Sequence, residues 1–304
     1  MEEIRVSVVV PTRNRPDQIG ACVESILANT FPSFELVVVD QSDDGSTNTA
    51  LAPFLQDPRL RYIASESRGA AAARNVGISN ARGALLAFTD DDCRVPADWI
   101  AQIVMIFDAD ADAGVLFGRV TIPEELKGLG FAADYEPSKR FYQGSFPAAT
   151  DNWGIGANMS VRRRVFDQVG VFDVLLGPGA TFKAGEEVDF AIRAIAAGWK
   201  VVNPHEVSLL HLGVRTGDAA RSLLLGYLFA TGAVFTKHLR LRTRGGVPLF
   251  ANFLALHTKH TVDSLIRGRR PTGMGSIVSL LKGASRSLAY AVDHDEQVYV
   301  PRPR

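Results

Sequence analysis

Short apolar runs alternate with segments of helical periodicity through the first third of the chain. The runs VSVVVP (6–11) and FELVVVD (34–40) are rich in β-branched residues, which is typical of strands buried on both faces of a parallel sheet. Between them, Ile19, Cys22 and Ile26 recur at the spacing of one helix face. This alternation predicts an α/β fold, in which an open sheet is layered with helices through right-handed crossovers.

The alternation continues to about residue 122. The further predicted elements are strands at 60–65, 84–90 and 114–122 and helices at 69–83 and 98–108. Residues 123–150 are rich in proline, glycine and aromatic residues, which predicts a loop over the edge of the sheet.

A different pattern follows residue 214. Residues 219–239 and 247–266 predict apolar helices, and residues 276–292 predict a third helix with one apolar face. The longest uncharged run, 222–236, is 15 residues long. It falls short of the ~20 residues that span a bilayer, so we expect no transmembrane helix.

The distribution of charge supports a division of the chain at this point. Residues 1–214 contain 19 Lys and Arg against 28 Asp and Glu, whereas residues 215–304 contain 14 against 5. We therefore expect an α/β domain over 1–214 and a basic helical extension over 215–304. Basic residues between apolar runs favour helices that lie on an anionic membrane surface. Packing on the body and a homodimer contact are the alternatives, and we expect no nucleic-acid partner.

Two features bear on the compartment. Cys22 and Cys93 are too few for a disulfide framework and lack metal-ligand spacing, which favours a reducing compartment. The N-terminal sequence MEEIRVSVVVP begins with acidic residues and has a very short apolar run, unlike a secretory signal. We expect a cytoplasmic protein, peripheral on the inner face of the plasma membrane if the extension binds lipid.

Polar residues follow three of the predicted strands. The first strand leads into Thr12 and Arg13, the second ends at Asp40, and the fourth ends in the triplet Asp90-Asp91-Asp92. Ligands bind beyond the carboxyl ends of such strands, which predicts one shared site. Mn²⁺ or Mg²⁺ would neutralise the triplet and bridge it to phosphates. The alternative is a solvated acidic turn before a helix.

Seven motifs follow in the order seen in family 2 glycosyltransferases of GT-A fold, which the chain resembles over about residues 5–214. They are VVVPTRN, VVVDQSDDGS, RGAAAARNVGISNARG, FTDDD, GANMSVRR, VGVFD and GEEVDFAIRAIAAGW. The resemblance implies a GT-A, Rossmann-like open sheet followed by the helical extension. It also implies metal-dependent, inverting transfer of a sugar from a nucleotide-diphospho-sugar, with UDP or dTDP favoured, to a glycan or lipid-linked acceptor hydroxyl.

The resemblance also implies roles for individual residues. The implied nucleotide-sugar contacts are Pro11, Thr12, Arg13, Asp40, Asp44 (with Asp43 beside it), Arg74, Asn75, Asp90 and Asp91. Asp92 matches the last acid of the DXD motif and would bind Mn²⁺ or Mg²⁺, with His211 and Asp90 as further ligands. A purely structural role is the alternative for Asp40, Asn75 and His211.

Inverting transfer needs a base, because the acceptor hydroxyl loses its proton as it attacks. Members of the family carry a Glu-Asp pair at the start of a helix, and the Asp is the base. In GEEVDF, Glu187 occupies that position with one more methylene, and we expect it to act. Glu186 and Asp189 are the other candidates. Alternatively, all three acids complement the N-terminus of a helix.

The segment WGIGANMSVRR matches the acceptor-side wall of the family. Gly156 and Asn158 would let the backbone approach the sugar, and Trp153 could stack on it. A plain glycine-rich turn is the alternative.

Two other functions compete with sugar transfer. A nucleotidyltransferase also uses acidic metal ligands, but it would normally have a glycine-rich loop with a lysine near the first strand, and TRNRPDQIG has no such run. The other alternative is a non-catalytic nucleotide- or glycan-binding scaffold at a membrane. The one feature in its favour is that Glu187 stands where the family has Asp.

Overall fold

The computed structural model of the chain describes residues 3–137, 140–142, 154–244, 246–266 and 272–302. The N-terminal elements are β1 (Val6–Thr12), α1 (Pro16–Leu27), β2 (Phe34–Asp40), α2 (Ser46–Leu51), β3 (Leu60–Ala64), α3 (Ala70–Asn80), β4 (Leu85–Phe88), β5 (Cys93–Arg94), α4 (Trp99–Ala109), β6 (Ala113–Phe117) and β7 (Arg119–Thr121). The later elements are β8 (Phe131–Ala132), β9 (Phe141–Tyr142), β10 (Met159–Arg162), α5 (Arg163–Val169), α6 (Glu186–Ala196), β11 (Lys200–Val202), β12 (Ser208–His211), β13 (Val214–Arg215), α7 (Gly217–Arg240), α8 (Gly246–Ile266), α9 (Thr272–Ser287), β14 (Tyr290–Asp293) and β15 (Val298–Pro301).

The central sheet has the strand order β3-β2-β1-β4-β10-β6-β11-β9. The first four of these strands are parallel, and β10 runs antiparallel between β4 and β6. Successive residues such as Val8 and Val9 point to opposite faces, and both are fully buried. Burial on both faces explains the unbroken β-branched runs, and the predicted α/β sheet with a parallel core is confirmed.

The single strand predicted over 114–122 is wrong, because this segment forms two strands of different sheets. β6 belongs to the central sheet, whereas β7 belongs to a small sheet of order β5-β12-β7. Gly118 lies between them, where an added Cβ would overlap the carbonyl oxygen of Val207 and the side-chain amide of Asn158. The apolar pattern does not reveal this close approach, which lets the chain change sheets.

The C-terminal helices pack on the body of the protein. Helices α7 and α9 cross at two glycines, because an added Cβ at Gly232 or Gly283 would overlap the backbone of the other helix. The C-terminal half of α7 buries Ala233 and Val234 in a second apolar cluster, together with Phe182 from the segment before α6. The helices predicted at 219–239 and 247–266 correspond to α7 and α8.

The helix predicted over 276–292 is wrong in its last turn. Helix α9 ends at Ser287, and β14 then pairs antiparallel with β15. The backbone N–H of Tyr299 in β15 donates to Asp173 Oδ2 at 2.8 Å, which anchors the hairpin to the body. The hairpin and the short helix α2 were not predicted.

Among the described residues, α7 is the one helix long and apolar enough to cross a membrane by length and composition. Its two halves differ in burial. Leu224 and Leu225 in the first half are exposed, whereas Ala230, Ala233 and Val234 are buried in the protein. Part of its apolar surface is therefore used for internal packing.

Candidate functional site

A cavity of about 390 Å³ opens at the carboxyl ends of β1 and β4 and is bounded by α6, β12 and α7. It brings together many residues singled out from the sequence. Those that line it are Pro11, Thr12, Arg13, Arg74, Asp90, Asp91, Asp92, Gly156, Glu186, Glu187 and His211. The residues that follow β1 and β4 therefore meet in one concavity, whereas Asp40 at the end of β2 does not line it.

Asp91 and Asp92 are buried at the floor of this cavity. Arg15 Nη1 donates to Asp91 Oδ1 at 2.8 Å and to Asp92 Oδ2 at 3.0 Å, and Thr12 Oγ1 donates to Asp91 Oδ2 at 2.8 Å. Burial raises the pKa of Asp91 above its usual value, and Arg15 and Thr12 offset that rise in part. Asp91 is thus held by neighbours within the protein.

Asp92 faces His211, whose Nε2 lies 3.3 Å from Asp92 Oδ1. Burial acts to raise the pKa of Asp92, but His211 and Arg15 outweigh it and lower that pKa to about 2. Burial likewise opposes the charge on His211, yet Asp92 raises its pKa. Among the described residues, buried Asp92 Oδ1 has no well-aligned hydrogen-bond donor. This oxygen is available to a ligand.

The small sheet explains why these two side chains meet. In the antiparallel pairing of β12 with β5, His211 lies opposite Cys93, the residue that follows Asp92. The candidate ligand atoms of Asp92, Cys93 and His211 lie within 4.8 Å of one another. Burial raises the pKa of Cys93 well above its usual value, so it stays a neutral thiol. A carboxylate with an imidazole suits Mn²⁺ better than a thiol does.

Arg74 links the triplet to the start of α6. Its guanidinium donates to Glu186 Oε1 at 2.7 Å and to Asp90 Oδ1 at 3.0 Å. Burial opposes the positive charge, but the two carboxylates outweigh it and raise the pKa of Arg74. Gly156 packs beside this group, since an added Cβ would lie 3.1 Å from Arg74 Nη2. Glu186 is therefore committed to an ion pair.

Glu187 is half-buried and lines the cavity beside Glu186. Among the described residues it forms no ion pair with a lysine, arginine or histidine. Burial, and next the negative charge of Glu186, raise its pKa well above the usual value for glutamate. This carboxyl can exchange a proton at a pH well above 4.5.

Asp189 lies outside the cavity, although it is on the same helix turn. It is fully buried and accepts from Arg193 Nε at 3.1 Å, and its Oδ1 lies 2.6 Å from Lys237 Nζ and 3.0 Å from His238 Nε2. Burial opposes ionisation, but Lys237 and Arg193 lower the pKa of Asp189 strongly. Its carboxylate ties α6 to α7 and does not face the cavity that would receive a substrate.

The remaining candidates divide into buried and exposed groups. Asp40 is buried at the end of β2 and accepts from Tyr62 Oη at 2.7 Å and from Ser42 N at 2.8 Å. Asp44 is exposed and bonds Ser46. Neither lines the cavity.

Two amide side chains hold the backbone together. Asn75 donates to the carbonyl of Phe172 at 2.8 Å and accepts from its N–H at 3.0 Å. Asn158 accepts from Trp99 Nε1 at 3.0 Å and donates to the carbonyl of Val207 at 3.0 Å. Trp153 lies outside the described residues.

Sequence reasoning missed several residues of the cavity. They are Arg15, Gln41, Arg215, Leu223 and Tyr227. Arg15 lies in the polar run after β1, which is a signal that could have been used. Leu223 and Tyr227 lie in the apolar run of α7, where nothing separates them from packing residues. The extension that was treated as a separate tail therefore supplies one wall of the cavity.

Comparison with known proteins bears on the family and the fold of this chain. A family model described as Glycosyl transferase family 2 matches residues 7–170. Glycosyltransferase AglE of Haloferax volcanii is 29% identical over 210 residues, which is 68% of this chain and 66% of AglE. The succinoglycan biosynthesis protein ExoO of Rhizobium meliloti is 29% identical over 77% of this chain and 68% of its own. The chain thus aligns with about two thirds of each relative's length.

Solved structures share the fold at low sequence identity. TarS 1-349 of S. aureus in complex with UDP-GlcNAc has a TM-score of 0.64 at 16% identity, covering 92% of this chain and 82% of TarS 1-349. The mannosyltransferase PcManGT of Pyrobaculum calidifontis, in complex with GDP-Man and Mn²⁺, has a TM-score of 0.63 at 20% identity, covering 93% and 87%. These neighbours have the GT-A fold, so the predicted fold is confirmed. The family model matches more than half of the chain, and this protein therefore belongs to glycosyl transferase family 2.

Proposed function

We propose that this protein transfers a sugar with inversion from a nucleotide-diphospho-sugar to an acceptor hydroxyl, in the synthesis of a cell-surface glycan or glycolipid. One observation carries the proposal. The Asp92–His211 pair, which suits a cation, and Glu187, a carboxylate of raised pKa, line the same cavity. The similarity to AglE and ExoO supports the reaction class.

The residues present fit a divalent cation. Asp92 and His211, with Asp90 beside them, would hold Mn²⁺ or Mg²⁺, since Asp92 Oδ1 has no well-aligned donor and faces His211 Nε2 at 3.3 Å. When bound, the cation would neutralise negative charge that develops on the departing nucleoside diphosphate. The complex of PcManGT with GDP-Man and Mn²⁺ supports this assignment.

The donor would lie along the strand ends. Pro11, Thr12 and Arg13 line the cavity at the end of β1. Asp40 lies outside this lining at the end of the neighbouring β2, and it would accept from a base N–H through lone pairs that Tyr62 and Ser42 leave unused. We favour a UDP or dTDP carrier, because the imide N–H of uracil or thymine suits such an acceptor. TarS is solved with UDP-GlcNAc and PcManGT with GDP-Man, so the choice of base rests on Asp40.

Glu187 would act as the base. Its carboxylate would accept the proton of the acceptor hydroxyl as the oxygen attacks the anomeric carbon. Glu186 is bound to Arg74, and Asp189 is buried against Lys237, so neither is as free to take a proton. Attack on the face opposite the leaving diphosphate inverts the anomeric configuration.

A lipid-linked acceptor at a membrane surface suits the wall made by α7. Leu223 lines the cavity, whereas the adjacent Leu224 and Leu225 are exposed. An exposed apolar surface on the helix that forms one wall of the cavity, in an extension rich in Lys and Arg, would hold the protein at a membrane that carries an amphiphilic acceptor. We propose a peripheral position on an anionic membrane.

A thermal-shift screen of UDP, dTDP and GDP, each with and without Mn²⁺, tests the proposal. A ligand present at 100 times its Kd stabilises a protein by about 2.7 kcal/mol, so UDP or dTDP with Mn²⁺ should raise the Tm clearly. Asp92→Asn should abolish the Mn²⁺-dependent part of that rise.

Asp98→Asn, which alters an exposed acid outside the cavity, is the matched control and should behave as the wild type. The proposal fails if no nucleotide raises the Tm, or if Asp92→Asn retains Mn²⁺-dependent binding and sugar transfer.

A further inference from the structure

Arg15 supplies a positive charge beside the acidic triplet Asp90-Asp91-Asp92. Its Nη1 lies 2.8 Å from Asp91 Oδ1 and 3.0 Å from Asp92 Oδ2, and 31% of the side chain remains exposed. The guanidinium thus neutralises two buried carboxylates and still reaches the cavity that it lines.

The other contacts of Arg15 do not account for this position. Its remaining side-chain hydrogen bond joins Nη1 to Gln18 Oε1 at 3.4 Å, which is long for such a bond. Arginine has donors only, so its side chain cannot cap the N–H groups at the start of α1, where Arg15 is the N-cap residue. The arginine is therefore held mainly by the carboxylates of Asp91 and Asp92.

A divalent cation bound by Asp92 would compete with this arrangement. Asp92 Oδ1 faces His211 Nε2 at 3.3 Å without a well-aligned hydrogen bond, but Oδ2 of the same carboxylate is paired with Arg15, so a metal ion would meet a guanidinium at close range. Like charges at such a distance repel strongly in a partly buried site. Metal binding should therefore require Arg15 to turn away from Asp92.

A diphosphate offers the displaced guanidinium a new partner. Arginine presents a planar fork of donors that matches phosphate oxygens, and the exposed part of Arg15 lies in the cavity. We propose that Arg15 is an exchangeable counter-ion: it pairs with Asp91 and Asp92 in the absence of substrate and moves to the donor's diphosphate when the cation binds. This inference rests on the proposed metal-dependent use of a nucleotide-sugar.

The consequence is a thermodynamic coupling between metal and nucleotide. A cation alone must displace Arg15 without compensation, whereas a cation with a nucleoside diphosphate leaves the arginine paired. Reciprocal coupling of this kind typically changes affinity by roughly 5- to 150-fold. The coupling would limit loading of the site by metal when no donor is present.

The test is a Mn²⁺ titration of the full chain, followed through the electron paramagnetic resonance signal of free Mn²⁺, without nucleotide and with UDP or GDP. Arg15→Gln should bind Mn²⁺ alone about 5- to 150-fold more tightly than the wild type, and nucleotide should then add less. Arg5→Gln is the matched control, because Arg5 pairs with exposed Asp108 outside the cavity. It should titrate as the wild type does.

The inference is overturned if Arg15→Gln binds Mn²⁺ alone no more tightly than the wild type while nucleotide and metal still bind. The wild type provides a second measurement that needs no variant: equal affinity for Mn²⁺ with and without nucleotide would also overturn it. If Mn²⁺ and nucleotide fail to bind the wild type at all, the proposed function fails as well. This result can be told apart from failure of the Arg15 inference alone, in which metal and nucleotide still bind.

Discussion

Two charged clusters meet on α6, and they differ in how completely their charges are paired. In the cavity, Arg74 Nε, Glu186 Oε2 and Asp92 Oδ1 are buried without hydrogen-bond partners. The second charged cluster lies on the side of α7 and consists of Asp173, Asp189, Arg193, Lys237 and His238. Among the described residues, none of its buried side-chain nitrogens and oxygens lacks a hydrogen-bond partner.

The difference separates a group that can bind a ligand from one that stabilises the fold. Glu187 and Asp189 are two residues apart, and residues at that spacing on a helix do not face the same way. Glu187 therefore lines the cavity, while Asp189 reaches Lys237 and His238 of α7. A single acidic run at a helix start thus contributes to both clusters.

Lys237→Met should produce the largest loss of stability. Lys237 is fully buried, 2.8 Å from Asp173 Oδ2 and 2.6 Å from Asp189 Oδ1, so its removal leaves the buried carboxylate of Asp173 without its cation and Asp189 with Arg193 alone. Breaking a buried ion pair in this way costs about 3–5 kcal/mol. Urea unfolding followed by circular dichroism measures the loss.

Lys259→Met, at an exposed position on α8, is the control and should change stability by no more than about 0.5 kcal/mol. A loss below about 1 kcal/mol in Lys237→Met would mean that the second cluster does not hold α7 to the body.

Glu187→Gln should lose activity and keep its stability, in contrast to Lys237→Met. The amide cannot accept the acceptor's proton, so sugar transfer should fall about 10²- to 10⁴-fold. The melting temperature should not fall. The carboxylate of Glu187 gains no ion pair in the folded state, and burial and the charge of Glu186 disfavour its ionised form. Initial rates at saturating Mn²⁺ and a thermal melt measure both properties.

The pH dependence of transfer sharpens the same prediction. The pKa of Glu187 is raised, so the ionised base is lost as pH falls through that raised value. Transfer by the wild type should therefore decline at a pH well above 4.5, and the residual rate of Glu187→Gln should lack this decline. An unchanged profile would assign the base to another residue.

His238 should give the smallest effect, a change in the dependence of stability on pH. Burial lowers the pKa of His238, so the folded state stays neutral while the unfolded state takes up a proton below about pH 6.5. The unfolded state then binds more protons, and stability should fall as pH drops, by at most about 1.4 kcal/mol per pH unit.

His238→Gln keeps a side-chain donor for Asp189 and should flatten this slope between about pH 6.5 and 4.5. Asp189 contributes below that window, because its lowered pKa gives stability that is lost as pH falls below about 4. The assignment is refuted if urea midpoints of the variant and the wild type have the same slope within the window.

The sequence predicted those features that a single segment determines. The β-branched runs predicted β1 and β2, and the polar residues after them predicted the edge where the cavity lies. The sequence could not show that Glu187 lines the cavity while Asp189 does not, because Lys237, the partner of Asp189, lies on a helix that is distant along the chain. Tyr227 was missed for the same reason: its apolar neighbours conceal a residue that lines the cavity only after α7 packs on the body.

The pairing of β12 with β5 has a consequence for how the chain can vary in length. His211 is buried and its neighbour Leu210 is exposed, because side chains alternate along β12. One residue inserted into β12 ahead of His211 would turn the imidazole towards solvent and bring an aliphatic side chain opposite Asp92. Much longer insertions between β7 and β12 would leave this contact intact. The contact between Asp92 and His211 thus depends on the register of a few paired residues in β5 and β12.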